Sequence, residues 1–337
     1  MTTLFVLLLL LLLPIGAVGS ADTKLPIGPR LAAFLNANSR LFTARRYAQF
    51  ENKTRAELNG FLGAVRPTAA QLAAVPKVAS AAAAPPTAPP ASFDIRTKWP
   101  RCKATFNRVP DQAGCGSCWA VSAASAIQDR RCIRFNGTSA AASLPISAWD
   151  LTTCCAACTP YASGCSGGWP AEAFRWFVEA GVVTGGPFGG GGCRPYAVAP
   201  GRSPAASTPC QRRCQSKYTA KTYARDKHFG RRLSVFSLDN AAVQAEILAA
   251  GSVVATFDVY EDFYLYSTGI YAHTSGEYVG GHAVRIVGWG VAGGVPYWTA
   301  GNSWGASWGE KGFFRIRRNT NEVNFESFIV TASALKD

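Results

Sequence analysis

Gln112-Ala113-Gly114-Cys115-Gly116-Ser117-Cys118-Trp119-Ala120 is the stretch on which the reading of this chain turns. Cys118 opens the first strongly helical run, an Ala-rich segment reaching Arg131. A cysteine at a helix N-terminus faces the positive end of the helix dipole, which favours its thiolate. A neutral buried thiol gains nothing from that placement. The chain has 11 cysteines, at positions 102, 115, 118, 132, 154, 155, 158, 165, 193, 210 and 214. Eleven is odd, so in an oxidising compartment five pairs leave one thiol free. Other readings stand beside a reactive Cys118. Cys115 and Cys118 form a C-x-x-C, the spacing of a redox pair, although no βαβ strand precedes it. Cys154, Cys155 and Cys158 have zinc-ligand character, but only three histidines exist and no second C-x-x-C follows. A structural cysteine without a partner is the third reading.

The ends of the chain set the compartment. Leu4 to Leu13 is nearly pure leucine, followed by Pro14 and small residues. That run is too short to span a bilayer, and residues 1–20 read as a secretory signal peptide. The expected location is the secretory pathway, lysosomal or extracellular, where cysteines pair. Asn52-Lys-Thr and Asn136-Gly-Thr are then glycosylation candidates. Net charge is +14, from 34 Lys+Arg against 20 Asp+Glu, yet no basic run exceeds two residues. Nucleic-acid binding needs clustered positive charge, so it is not expected. With 48% hydrophobic and 16% charged residues the chain is globular, neither disordered nor a coiled coil.

Residues 21–88 contain no cysteine and hold nine Lys+Arg against three Asp+Glu. From Leu31 to Gly63 the apolar spacing predicts helix, and residues 79–91 form an Ala/Pro linker that is extended and easily cut. The simplest layout is a removable N-terminal segment, a cleavable hinge and a disulfide-rich body from residue 89. Within the body, residues up to about 184 read as helical: Ser147 caps one helix and Pro170 opens another. Asp239 to Ala250 predicts a last helix. Val253 to Tyr260, Ala283 to Trp289, Pro296 to Thr299 and Gly312 to Ile316 predict strands. A helical part, about 100–245, and a strand-rich part, about 246–337, imply two subdomains with a cleft between them.

A thiolate nucleophile needs an imidazole, and the imidazole needs a group to hold its ring. His282 sits in Gly280-Gly281-His282-Ala283, at the start of a predicted strand. Asn302, in Asn302-Ser303-Trp304-Gly305, follows another strand, with Trp304 placed to shield the hydrogen bond from water. His228 and His273 lack the glycine context and read as surface or packing residues.

C-G-S-C-W at 115–119, G-G-H-A at 280–283 and N-S-W-G at 302–305 together resemble a papain-family cysteine protease. Ser92-Phe93-Asp94, the 164–173 stretch from Gly164 to Ala173, Gly192-Cys193-Arg194-Pro195-Tyr196 and Asp226-Lys227-His228 are similar to its cathepsin B-like branch. The separation of 164 positions from Cys118 to His282 exceeds the usual spacing of about 130–150, which an insertion of that branch accounts for. The resemblance implies an α+β fold: a helical left domain, a β-barrel-like right domain, an active cleft between them and an inhibitory propeptide running backwards through it.

It also implies roles. Cys118 is the nucleophile, His282 the base and acid, Asn302 the orienting group and Gln112 an oxyanion donor. Removing such a donor lowers turnover by about 10²–10³-fold. The implied disulfides are Cys102–Cys132, Cys115–Cys165, Cys154–Cys210, Cys155–Cys158 and Cys193–Cys214, which leave Cys118 free. Gly167 and Gly168 would bind an extended peptide through their backbone. Pro170, Thr256, Gly281, Ala283 and Phe328 would form the pocket for the residue preceding the scissile one. Val259, Tyr264, Val279 and Trp304 would form an apolar wall beyond the scissile bond. The expected partners are peptide and protein substrates and the chain's own propeptide, with the molecule a monomer and no cofactor or metal.

Two departures matter. The stretch from Cys193 to Cys214 is short and has no histidine. In the cathepsin B-like branch two adjacent histidines there hold a substrate's C-terminal carboxylate; their loss predicts endopeptidase action with weak or no dipeptidyl carboxypeptidase activity. Arg194, Arg202, Arg212 and Arg213 remain, on a flexible stretch. Phe328 stands where the branch has a glutamate, so apolar residues are expected over arginine in that pocket. The rival functions are a catalytically impaired homologue serving as a binding protein and a thiol oxidoreductase with Cys115 free.

Overall fold

The computed structural model describes residues 27–66, 88–137, 144–205 and 208–333. The expected signal peptide and most of the Ala/Pro linker lie outside them. Asn52 and Asn136 are both exposed.

Several helices begin where the sequence supplies a side-chain acceptor or a proline, which has no N–H to satisfy. Proline opens α1, Pro29–Asn38. A reciprocal capping box between Thr54 and Glu57 starts α2, Arg55–Asn59. Cys118–Arg134 is α3. The Ser147 hydroxyl accepts from the Asp150 amide at 2.9 Å to start α4, Ala148–Cys154. Pro170–Glu179 is α5, and Asp239 caps α6, Asn240–Ala250, by accepting from the Ala242 amide.

The continuous helix expected over residues 31–63 is absent. Between α1 and α2 lies a strand, β1, Phe42–Ala44, which pairs antiparallel with β5, Tyr266–Tyr271. Phe42 and Ala44 are buried on either side of exposed Thr43. An open sheet edge in the body supplied backbone partners that local helical spacing cannot match.

The other strands are β2 Phe93–Asp94, β3 Leu233–Phe236, β4 Val253–Tyr260, β6 Tyr278–Ala292, β7 Val295–Gly301, β8 Phe313–Arg317 and β9 Ile329–Ala332. They follow the path β1-β5-β8-β7-β6-β4-β9-β3, with β2 attached to β6. Among the named strands of the described residues, only β5 and β8 pair in parallel. Strands β2 and β3 precede residue 246, before the part expected to be strand-rich, but join this sheet, because each finds its hydrogen bonds on β6 or β9. The division in space therefore does not follow a single cut in the chain.

Helix α3 packs against α4, α5 and β6. A fully buried ion pair fixes the last contact. Arg285 Nη1 donates to both oxygens of Asp129 at 2.8 and 2.9 Å, and the Ser252 hydroxyl donates to the same carboxylate. All eleven cysteines lie in described residues. Ten form the bridges 102–132, 115–165, 154–210, 155–158 and 193–214. Cys118 is free and buried.

Candidate active site

Cys118 is the first residue of α3, and β6 lies against it. Asp129, at the far end of the same helix, holds Arg285, three residues after His282 on β6. One buried ion pair thus locks the helix bearing the thiol to the strand bearing the imidazole. The amide of Ala283, next to His282, lies within reach of the Cys118 sulfur.

His282 is fully buried. Its Nε2 lies 2.8 Å from Asn302 Oδ1, and the ring is 4.8 Å from the Trp304 ring at a 31° tilt. Trp304 covers the His–Asn contact as its position suggested. The Nδ1 atom has no hydrogen-bond partner. Asn302 is oriented in turn: its Oδ1 also accepts from the Ser303 backbone N–H at 2.8 Å, and its own backbone N–H donates to Gly312 O.

Gln112 is wholly buried. Its Nε2 donates to Cys115 O at 2.9 Å, and its Oε1 accepts from the Ser303 hydroxyl at 2.5 Å. Ser303 therefore ties the Gln112 side chain to the Asn302 segment. Tyr196 supports the same corner, its hydroxyl meeting Gln112 O at 2.9 Å and Ser117 Oγ at 2.6 Å. Ser303 and Tyr196 were not singled out as site residues, although both sit inside quoted motifs.

The groove is filled by the chain's own N-terminal segment. Gly168 N donates to Gly63 O at 2.8 Å and Gly168 O accepts from Val65 N at 3.0 Å, a parallel pairing. The amides of Gly63 and Ala64 donate to Gly281 O. Gly168 must be glycine: a Cβ there would come within 2.5 Å of Cys158 O and 2.6 Å of the Trp119 ring. Gly167 precedes it at φ +124°, its carbonyl held by the Thr159 hydroxyl.

This coverage sets the electrostatics. A helix head favours a thiolate, but a sulfur stripped of water loses more than the dipole returns. Burial pushes the Cys118 thiol up to about 12, against the pull of the Ala283, Trp119 and Ala64 amides. Burial likewise pushes the His282 imidazole down to about 4, against the Asn302 contact. In the covered state both groups are neutral.

Phe328 lines a cavity of about 240 Å³ with Thr256, Phe257, Gly281, Asn324 and Ser327, and Ala64 and Arg66 reach into it. Pro170 and Ala283, expected as walls, are buried but do not line it. Pro170 is occupied in starting α5, and Ala283 in pairing with Thr256. Val259, Tyr264, Val279 and Trp304 are all buried in one apolar cluster, with Phe50, Phe61 and Leu62 of the N-terminal segment. Arg194 is not available at the surface. It is buried, its Nη1 3.2 Å from Asp150 Oδ1, whereas Arg202, Arg212 and Arg213 are exposed. His228 pairs with Val182 through its backbone, and His273 stacks on Tyr260 at 3.9 Å with Nδ1 3.1 Å from Asp262. No group of three or more potential metal ligands occurs among the described residues. No described helix is long and apolar enough to cross a membrane.

A groove between helix and sheet, with a free thiol on one wall and an Asn-held imidazole on the other, is the layout of a thiol peptidase. The papain family cysteine protease domain matches residues 89–333. The gut-specific cysteine proteinase of Caenorhabditis elegans is 49% identical over 250 residues, 73% of this chain and 74% of that protein. Cathepsin B-like cysteine proteinase 3 of the same nematode is 48% identical over 250 residues, 73% of this chain and 66% of that protein. The solved structure of proCathepsin B S9 from Trypanosoma congolense matches with a TM-score of 0.78 at 31% identity, covering 93% of this chain and all of that one. The chain belongs to the papain family of cysteine proteases, and cathepsin B-like proteinases are among the relatives it matches. That solved structure is a proform, and in this chain residues 63–65 lie along the groove, paired with Gly168 and Gly281.

Proposed function

We propose that this protein is a cysteine endopeptidase, made as a secreted or lysosomal zymogen, monomeric and active once the segment before residue 89 is removed. The observation that carries the reading is the unbridged Cys118 at the head of α3, with Asn302 fixing the His282 ring by the 2.8 Å contact and leaving Nδ1 unpartnered.

Removal of the propeptide lets water return. His282 then takes the Cys118 proton, giving a thiolate–imidazolium pair. The thiolate attacks a peptide carbonyl, and the oxyanion meets the Cys118 amide and a Gln112 Nε2 hydrogen. His282 protonates the leaving amine, and an acyl-enzyme remains. Water, deprotonated by His282, adds to the thioester, and the carboxylic acid leaves with the thiolate restored. Gly167 and Gly168 supply the backbone to which an extended substrate pairs. Phe328 makes the adjoining pocket apolar, favouring Phe, Leu or Val over Arg there. The stretch 193–214 offers no histidine pair for a terminal carboxylate, so dipeptide release from free C-termini is weak or absent.

Labelling the processed protein with an epoxide peptide inhibitor tests the mechanism. The modification is expected on Cys118; its appearance elsewhere, or no labelling, overturns the reading. Peptides with free and amidated C-termini test the mode of cleavage. A strong preference for the free acid would contradict endopeptidase action.

A further inference from the structure

A charged residue in the wholly buried strand Val253-Val254-Ala255-Thr256-Phe257-Asp258-Val259 stands out. Side chains alternate along a strand. Asp258 therefore shares a face with Thr256, which lines the Phe328 cavity, while Phe257 and Val259 enter the apolar core. The Asp258 side chain is only 6% exposed. Its Oδ2 accepts from Asn324 Nδ2 at 2.7 Å, and Asn324 lines the same cavity. Its Oδ1 is buried without a hydrogen-bond partner. Asp258 has one cationic partner among the described residues, the guanidinium of Arg66, which is itself 61% exposed.

Arg66 belongs to the segment that leaves. Once it goes, the Asp258 carboxylate, still beside Asn324, loses its one cationic partner among the described residues. A buried carboxylate is stable only when paired. The position of Arg66 shows where the replacement must come from. The N-terminal segment passes Trp304 at Phe61, lies on Gly281 at Ala64 and reaches Asp258 at Arg66. It runs from the wall beyond the scissile bond to the Phe328 cavity, which Ala64 and Arg66 both line, and Arg66, two residues beyond Ala64, reaches on to Asp258. A substrate side chain that takes its place belongs one or two residues N-terminal to one that fills the pocket from the position of Ala64.

We propose that Asp258, supported by Asn324, is a specificity residue that binds an arginine or lysine side chain of the substrate, one or two residues N-terminal to the residue occupying the Phe328 pocket. The propeptide imitates this cation with Arg66. The groove thus has an apolar subsite and a separate acidic one, and an extended peptide presents alternate side chains to the same wall. The inference rests on the reading of the groove as the substrate cleft.

The test is peptide binding to the processed protein carrying Cys118→Ala, measured by calorimetry. Each peptide has leucine for the Phe328 pocket, with arginine or its neutral isostere citrulline at each of the two preceding positions. At one of these positions the arginine peptide is expected to bind about tenfold tighter than its citrulline twin, as a charge-assisted hydrogen bond warrants. The ratio should fall to near one in Asp258→Asn and persist in Asp258→Glu. Equal binding of arginine and citrulline at both positions overturns the proposal without recourse to any Asp258 variant; so does a preference that survives Asp258→Asn. Turnover by the protein with Cys118 intact is a separate measurement: peptide binding without hydrolysis would refute the peptidase mechanism, whereas hydrolysis without an arginine preference would refute only the role of Asp258.

Discussion

The indole nitrogen of Trp304 donates to the carbonyl of Phe61 across 2.8 Å, joining residues 243 positions apart. The residue that shields His282 is therefore itself capped by the N-terminal segment. Phe50 reinforces the cap, its ring 5.1 Å from Phe61, 4.9 Å from Tyr264 and 5.2 Å from Trp304. Replacing a buried phenylalanine by alanine costs about 3–5 kcal/mol. Phe50→Ala should speed conversion of the zymogen and lower its melting temperature. Conversion at the unaltered rate would show that this cluster does not hold the propeptide in place.

On the proposed function, Cys118 and His282 change state when the N-terminal segment departs. With the thiol raised to about 12 and the imidazole lowered to about 4, the zymogen holds almost no thiolate at neutral pH. Only the thiolate reacts with alkylating agents. Iodoacetamide should modify Cys118 at least about tenfold more slowly in the zymogen than after processing. Equal rates would mean that burial does not control the thiol.

The cap of α2 titrates. Glu57 accepts from the Thr54 amide at 2.8 Å and from its hydroxyl at 3.1 Å, and these contacts hold the carboxyl below its ordinary value of 4.5. A carboxylate lowered in the folded state stabilises that state above its unfolded value, and the contribution is lost as pH falls through the folded value. Acid below pH 4.5 should therefore fray α2, which leads directly into the groove-filling segment. In the Cys118→Ala zymogen exposed to a fixed amount of added protease, cleavage should accelerate over that window. Glu57→Gln, whose side chain does not titrate, should show a smaller rise. Superimposable pH profiles would remove this cap from the acid response.

Asp129 and Arg285 join the helix of Cys118 to the strand of His282. Burial raises the Asp129 carboxyl, and Arg285 counters it. Breaking a buried pair leaves an unpaired charge and costs about 3–5 kcal/mol. Asp129→Ala should lower stability by that order in urea unfolding. Asp129→Leu with Arg285→Met, which removes both charges, should recover part of the loss. A double variant as unstable as the single one would assign the cost to packing instead of charge.

Much of the site was legible because short motifs carried it. The C-G-S-C-W, G-G-H-A and N-S-W-G stretches each fix a local conformation, and Ser147 as a cap and Pro170 as a helix opener lie within one turn of the residues they serve. Segment 31–63 misled because its spacing fits a helix, while the sheet edge that captured Phe42–Ala44 lies more than 200 residues away. Ser303 and Tyr196 were hidden for a similar reason: their hydroxyls act on Gln112 from 191 and 84 residues along the chain. Asp258 did leave a signal, a lone charge in an apolar strand, but its meaning depends on Arg66 and Asn324.

The sequence alone determined the chemistry available to this protein: one unpaired sulfur among eleven cysteines, one histidine framed by glycines, and a basic, cysteine-free N-terminal segment ahead of a cleavable linker. Only the tertiary structure decided the state of those groups. Ionisation of Cys118 and His282 depends on access to water, and access depends on residues 61–66 lying in the groove. Pairings between distant backbone atoms put them there, and no local pattern of residues encodes such pairings.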